Sequence, residues 1–349
     1  MTDEFFVLGL AVFFALLLRW AFKTLPEEKW QIMATIPVAK EGLNEWRGQN
    51  LTYYGLFTAV AMVAAVTIMF ILLGAIHVPT IITVVIAGLI IAFGLPAAKL
   101  VARAVEKKAH TLTISGASFV GILGAPAIVW IVDRVLGGGM NHVPMIPVLA
   151  SIAIAYGLGE GLGRLACISF GCCYGKPLSQ CRPWIRRIIG RHPFVFSGKT
   201  KKIAYEGGLD GTEVIPIQAI TAISLIAIGL AGIVLYLKSF YTLALILVMV
   251  STQVWRVVSE LLRADYRGGG KVTAYQIMSL AAIAYVFALV GVSSPEQFPS
   301  ADLGTGLASL WDPVVILFLQ GLGLVGFLLS GRSSVTESTM TFHVVVERL

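Results

Sequence analysis

The chain has 349 residues, of which 57% are hydrophobic and only 13% charged, with a mean hydropathy of +0.85. Soluble domains carry roughly 25% charged residues, so this composition excludes an ordinary soluble fold, a disordered chain and a small disulfide framework, and points to a bilayer. The net charge of +7 is no nucleic-acid signal in such a chain; it asks where the positive loops lie.

Apolar runs of about 20 residues, the length that crosses a hydrocarbon core of roughly 30 Å, recur with short polar breaks. Nine are predicted, near 5 to 22, 54 to 76, 80 to 102, 114 to 136, 145 to 171, 214 to 236, 240 to 262, 273 to 293 and 311 to 330. Barrel strands would be shorter and alternate every second residue, so the fold class is all-α, a polytopic transmembrane helical bundle with a basic loop headpiece. Asp3 and Glu4 precede the first run and no small-residue cleavage site follows it, which predicts a retained helix and not a signal peptide.

Residues 23 to 50 are of mixed charge with Trp30 and Trp46, the composition of an amphipathic arm at the membrane surface. The longest non-spanning stretch, 174 to 213, carries eight Lys and Arg, and its Pro183, Pro193, Gly198 and Gly207-Gly208 predict a folded loop and not one long helix. The loops at 23 to 50, 103 to 113, 174 to 213 and 263 to 272 hold 18 of the 26 Lys and Arg. The positive-inside rule puts these four loops in the cytoplasm, the N-terminus outside and the C-terminus inside.

Ionisable groups inside spans are costly and mark candidate sites. In the fifth span Tyr156, Glu160, Arg164, Cys167 and Gly171 recur at intervals of three and four on one helix face, and Glu160 can pair with Arg164. Gly157, Gly159, Gly161 and Gly163 remove bulk beside them. The seventh span ends in a second stripe, Gln253, Arg256, Glu260 and Arg263. Paired charges also serve as glue between helices, and that bland reading competes evenly for either stripe alone; two stripes ending near basic loops on one side weaken it. Two buried guanidiniums facing one cavity suit a phospholipid headgroup, with a nearby carboxylate to orient them or accept a proton.

All four cysteines fall within 15 residues, at 167, 172, 173 and 181. The spacing C-x4-C-C-x7-C lacks the usual zinc knuckle, so no metal and no cofactor are expected. Structural burial, a redox pair at Cys172 and Cys173, or thiols activated near Arg164 and Lys176 stay open.

Gly163-Arg164-Leu165 followed by Gly171-Cys172-Cys173-Tyr174-Gly175-Lys176 resembles the signature of the prolipoprotein diacylglyceryl transferase family, G-R-x-G-N-F-x-N-G-E-x-x-G in its best-known members. Gly163, Arg164, Gly171 and Gly175 match, whereas Cys167 stands at the first asparagine and Cys172 at the glutamate. Tyr54-Gly55 resembles the family's opening tyrosine-glycine pair, and Ser115-Gly116-Ala117 occupies the place of its H-G-G motif. Ile215-Pro216-Ile217-Gln218 resembles H-P-[ST]-Q without the histidine, and the run from Arg256 through Glu260 to Arg263 fits R-x-x-x-E-[FL]-x-R. The resemblance implies a transferase-like core over 51 to 293 with headpiece 174 to 213. An extra helix with an interfacial arm then occupies 1 to 50, and an extra helix with a polar tail 294 to 349.

In that family a diacylglyceryl group passes from phosphatidylglycerol to a lipoprotein cysteine thiol, releasing glycerol phosphate. By resemblance Arg164 and Arg256 would bind the phosphate, Glu260 would hold the second arginine or assist proton transfer, Tyr54 would line the cavity, and Cys172 joins these as a catalytic candidate. Ser115, Gly116, Glu160, Cys167, Gly171, Cys173, Tyr174, Lys176, Gln218 and Arg263 complete the expected substrate-binding set. Ser115 replaces the family's histidine, so either the acceptor is another small or lipid nucleophile, or Cys172, Glu160 or Glu260 carries the proton; His110 could also reach the site, while His142 falls on the opposite side. The resemblance turns the signature loop outward, against the positive-inside reading, and is preferred slightly. The leading expectation is a plasma-membrane transferase acting on an anionic phospholipid, ahead of a phospholipid or small-anion transporter and of a membrane thiol oxidoreductase.

Overall fold

The computed structural model describes residues 2–107, 114–137, 143–267, 272–293 and 298–349; His110 and His142 lie outside them. Nine helices among these residues are long and apolar enough to span a membrane. They are α1 (Thr2–Thr24), α2 (Tyr53–Ala75), α3 (Thr80–Glu106), α4 (Ile114–Leu136), α5 (Met145–Phe170), α8 (Ile217–Leu237), α9 (Tyr241–Leu262), α10 (Ala274–Val292) and α12 (Pro313–Ser330), with the short helices α6, α7 and α11 between them at Pro183–Ile189, Lys202–Tyr205 and Leu303–Ala308. Every apolar run of the sequence becomes one spanning helix, because in hydrocarbon a backbone must satisfy its own hydrogen bonds.

Helix α5 is the centre. Of its most apolar window 78% is buried, against 17% for α1 and 6% for α12, so those two face lipid. It packs on α2, α8 and α9, with α4 closing one side. Apolar packing gains little from water exclusion inside a bilayer, so close van der Waals approach decides which helices meet. The glycines of α5 permit it: a Cβ on Gly159 would stand 2.8 Å from Ala65 Cβ, and one on Gly161 2.9 Å from Ile226 Cγ1.

The segment read as an amphipathic arm is instead a hairpin. Strands β1 (Ile32–Lys40) and β2 (Glu45–Thr52) pair antiparallel, and the C-terminal tail supplies β5 (Arg332–Thr341) on the other side of β2, giving the order β1-β2-β5. Ile32, Thr35, Ile36 and Val38 favour a strand, and Pro37 is accommodated because β1 is an edge. Asn50 pins the sheet: fully buried in β2, it accepts from Thr35 at 2.8 Å and Ser338 at 2.6 Å and donates to Thr336 at 3.2 Å. Trp30 meets Trp20 edge-on at 5.1 Å and Tyr53 at 5.0 Å, an aromatic cluster where α1 gives way to the sheet.

The basic headpiece is a folded loop, as its prolines and glycines predict: α6, α7 and the two-residue strands β3 (Phe194–Val195) and β4 (Glu213–Val214). Lys201 ties it down, its buried ammonium donating to Leu25 O at 3.2 Å and Ser169 O at 2.6 Å. Burial lowers this ammonium to about 8, with Glu28 pulling the other way. The headpiece, the β-sheet, the start of α4 and the loop after α9 therefore gather at one end. At the other end Asp302 N–H donates to Ala75 O at 2.8 Å and Tyr241 OH to Pro299 O at 2.6 Å.

Candidate active site

The α5 stripe delivers its charges to the basic end of the bundle, and the α9 stripe faces it. Glu160, Arg164 and Arg256 are all buried. Arg164 pairs with Glu160 one turn away, as the spacing predicts, but the same carboxylate also takes Arg256 Nη2 at 2.5 Å from across the interface. Tyr156 OH donates to Glu160 Oε2 at 2.5 Å and accepts from Arg256 Nη2 at 2.5 Å. One carboxylate and one phenol thus hold two guanidiniums side by side. Such a pair of cations is sustained in low dielectric only by a shared counter-charge with satisfied hydrogen bonds.

Glu260 is placed differently from the expectation. It does not hold Arg256. It pairs with Arg267 at 3.1 Å and Arg263 at 3.9 Å, while Arg263 also binds Asp265 through two bonds of 2.8 and 2.6 Å. The reason is the helix end: α9 stops at Leu262, so the chain turns back and brings Arg267 over Tyr275, 4.1 Å from its ring centre. Ser115 Oγ bridges the two groups, accepting from Arg256 and from Arg267 Nη2 at 3.0 Å, with Gly116 buried next to it in the first turn of α4.

Among the described residues Arg164, Arg256, Arg263 and Arg267 lie against Glu160, Glu260 and Asp265. Among the described residues the buried Nε of Arg164 and that of Arg256 find no hydrogen-bond partner. A narrow crevice runs among these groups, with Thr221, Thr252, Trp255 and Ser259 completing its walls. Trp255, whose indole N–H donates to Thr221 at 3.1 Å, also borders an open, largely apolar groove between α8 and α9, lined by Ile228, Val250, Val254 and Val258 with Ser224 and Ser251. A charged crevice sharing a wall with an apolar groove suits a molecule with an anionic head and an apolar tail.

The signature loop lies beside this crevice. Helix α5 ends at Gly171, whose φ of 71° supplies the left-handed cap while Cys172 N–H returns to Cys167 O at 3.0 Å. Gln218 donates to Cys172 O at 2.9 Å, and Gly175 bridges to Arg263 so closely to Ile215 that an added Cβ would lie 2.3 Å from its carbonyl oxygen. Gly171 and Gly175 thus act through the backbone, and Gln218 through a side-chain amide that holds the loop's backbone. Tyr174 is buried against Gly207, and burial raises its phenol above the usual range; Lys176 is exposed and joins the loop to Leu262 and Ile215 through backbone bonds.

Cys167, Cys172 and Cys173 converge, with all three Sγ within 4.8 Å of one another. Cys181 leaves the group and donates to Pro177 O at 3.3 Å. Hydrogen bonds from Cys167 and Cys172 lower the Cys173 thiol well below its ordinary range, and Arg263 and Arg164 act in the same direction against burial. Tyr54 packs at a tilt on Phe170, 5.5 Å between ring centres, and is not among the residues that line the arginine crevice.

Sequence reasoning missed Arg267 and Asp265 as members of the site, and it noticed Tyr156 only as part of a stripe. The signal for Arg267 was its position seven residues after Glu260, hidden because a continuing helix would have carried it two turns, about 10 Å, along the axis away from Glu260. The model of the prolipoprotein diacylglyceryl transferase family matches residues 44–292, from the turn just before β2 to the last residue of α10. No curated protein matches the chain.

Proposed function

The chain belongs to the prolipoprotein diacylglyceryl transferase family, a multi-pass membrane transferase by its family and its spans, and from that premise we propose that it moves a diacylglyceryl group from phosphatidylglycerol to a lipoprotein cysteine thiol in the plasma membrane. The observation that carries the choice of donor is the pair Arg164 and Arg256 on the single carboxylate Glu160, each with an Nε–H still to place. A phosphodiester brings several acceptor oxygens, which suit the two guanidinium forks and their unplaced Nε–H donors. The open groove beside Trp255 offers an acyl chain a largely apolar surface.

Arg164 and Arg256 then hold the phosphate and stabilise the charge that grows on the departing glycerol phosphate oxygen. Glu160 and Tyr156 keep the two forks parallel. Glu260 positions Arg263 and Arg267, whose field extends the positive potential toward the headpiece, and Ser115 couples the two halves. Because Ser115 cannot serve as the histidine of the family pattern would, removal of the acceptor's proton belongs to another group.

The test is the purified protein in vesicles containing labelled phosphatidylglycerol and a peptide with a lipoprotein-type cysteine. Release of glycerol phosphate with a thioether-linked lipid on the peptide is expected. Arg164→Lys keeps the charge but loses the fork, and should lower turnover by about 100-fold, the scale of a lost oxyanion donor. Turnover near that of the wild type would remove Arg164 from its role, and lipid that crosses the bilayer intact would favour transport.

A further inference from the structure

Three thiols drawn into one place need a reason, because burying them yields little that three alanines would not. Cys167 comes from the last turn of α5, Cys172 and Cys173 from the loop beyond its cap, and the loop is fixed on both flanks by Gln218 and by the Gly175–Arg263 bridge. Cys173 holds a φ of 56°, a left-handed backbone that side chains with a Cβ adopt at a cost. That conformation turns its sulfur back to within 3.9 Å of Cys167 Sγ. Zinc–thiolate bonds of about 2.3 Å in a tetrahedron place two sulfurs about 3.8 Å apart, so the spacing is that of ligands to one ion. Among the described residues no fourth cysteine, histidine or carboxylate joins the three. Structural zinc sites are closed by four protein ligands, whereas three protein ligands leave a position for an exchangeable one.

We propose that Cys167, Cys172 and Cys173 bind one zinc ion whose open position takes up the acceptor thiol as a thiolate. A metal-bound thiol is deprotonated outright, which supplies the function that Ser115 cannot. Three thiolates and a zinc ion carry one net negative charge, and a fourth thiolate adds another; Arg164 and Arg263, which both act on Cys173, offset it. Arg164 also lines the crevice assigned to the donor phosphate, so acceptor sulfur and donor ester meet at one residue.

The catalytic half of the inference rests on the transfer reaction proposed above; the binding half does not. The acceptor's thiol proton passes to solvent as the sulfur binds. The sulfur electron pair then forms a bond to the glyceryl carbon that carries the phosphate, the carbon–oxygen bond breaks, and its electron pair leaves on glycerol phosphate. The thioether, a poor ligand, dissociates, and no electrons are gained or lost overall.

The protein purified under reducing conditions is analysed for metal and titrated with cadmium, whose sulfur charge-transfer absorption counts thiolate ligands. One ion per chain is expected, lost in Cys167→Ser and Cys173→Ser and kept in Cys181→Ser. Thermal unfolding of the same variants separates lost ligation from lost fold, and the cadmium titration of the wild type needs no variant. A cysteine peptide without donor lipid should perturb the cadmium absorption, while its Ser analogue should not. Metal and peptide binding with phosphatidylglycerol left intact would uphold the site and sink the donor assignment. Absence of a cadmium–thiolate band, a Cys167–Cys173 disulfide in the freshly purified protein, or full transfer after complete chelation would each overturn the proposal.

Discussion

Glu160 holds two arginines of the crevice. It is buried between Arg164 and Arg256 and accepts a third bond from Tyr156, so its removal leaves two guanidiniums facing each other without a counter-charge. Glu160→Gln should therefore cost about 3–5 kcal/mol, the scale of breaking a buried pair by deleting one partner. Unfolding in detergent micelles measures it, and a midpoint unchanged within error would mean that water or lipid already neutralises the two arginines. Half of this constellation is visible in the chain itself, because residues four apart on a helix are neighbours and Glu160 precedes Arg164 by one turn. The other half is not, because Arg256 lies 96 positions away and its choice of Glu160 over the nearer Glu260 depends on how α9 is rotated against α5.

Among elements, the spanning helices follow directly from the sequence. An apolar run of the right length has one way to satisfy its backbone in hydrocarbon, and the nine predicted runs coincide with nine helices to within a few residues at most ends. Outside the bilayer that constraint lapses, and the reading of 23 to 50 as an amphipathic arm gives way to a hairpin completed by a strand almost 300 residues later. Periodicity cannot reveal such pairing, since a strand's partner is set by register and closure and not by local propensity. Strand β5 shields one edge of β2 and supplies Ser338 and Thr336 to the buried Asn50. Deleting 332–349 should leave the Nδ2 of that amide without its partner Thr336 and speed proteolysis within 32–52 several-fold while the helical core stays protected. Cleavage rates equal to those of the full chain would show the hairpin to be stable without its third strand.

At the scale of the molecule, the headpiece, the β-sheet with the C-terminal strand, and the loop after α9 occupy one end, and the turns near Ala75, Ser239 and Pro299 occupy the other. Epitopes inserted after Ser179 and at the C-terminus should consequently be exposed on the same face of the membrane, with one after Ser300 exposed on the opposite face. Accessibility in intact cells and in inverted vesicles reads this out and also decides between the two orientations that the basic loops and the family signature favour. A Ser300 epitope reached together with the other two would break the alternation of spans on which the architecture rests. What the sequence determined by itself was the class of molecule, the number of spans, the one-turn pair Glu160–Arg164 and the short motifs of the family, all of which depend on local composition and helical spacing. What only the tertiary structure decided was which charges share a partner, where Arg267 falls, and that three of four cysteines meet, because those depend on helix rotation and chain reversal, which act between residues far apart in the chain.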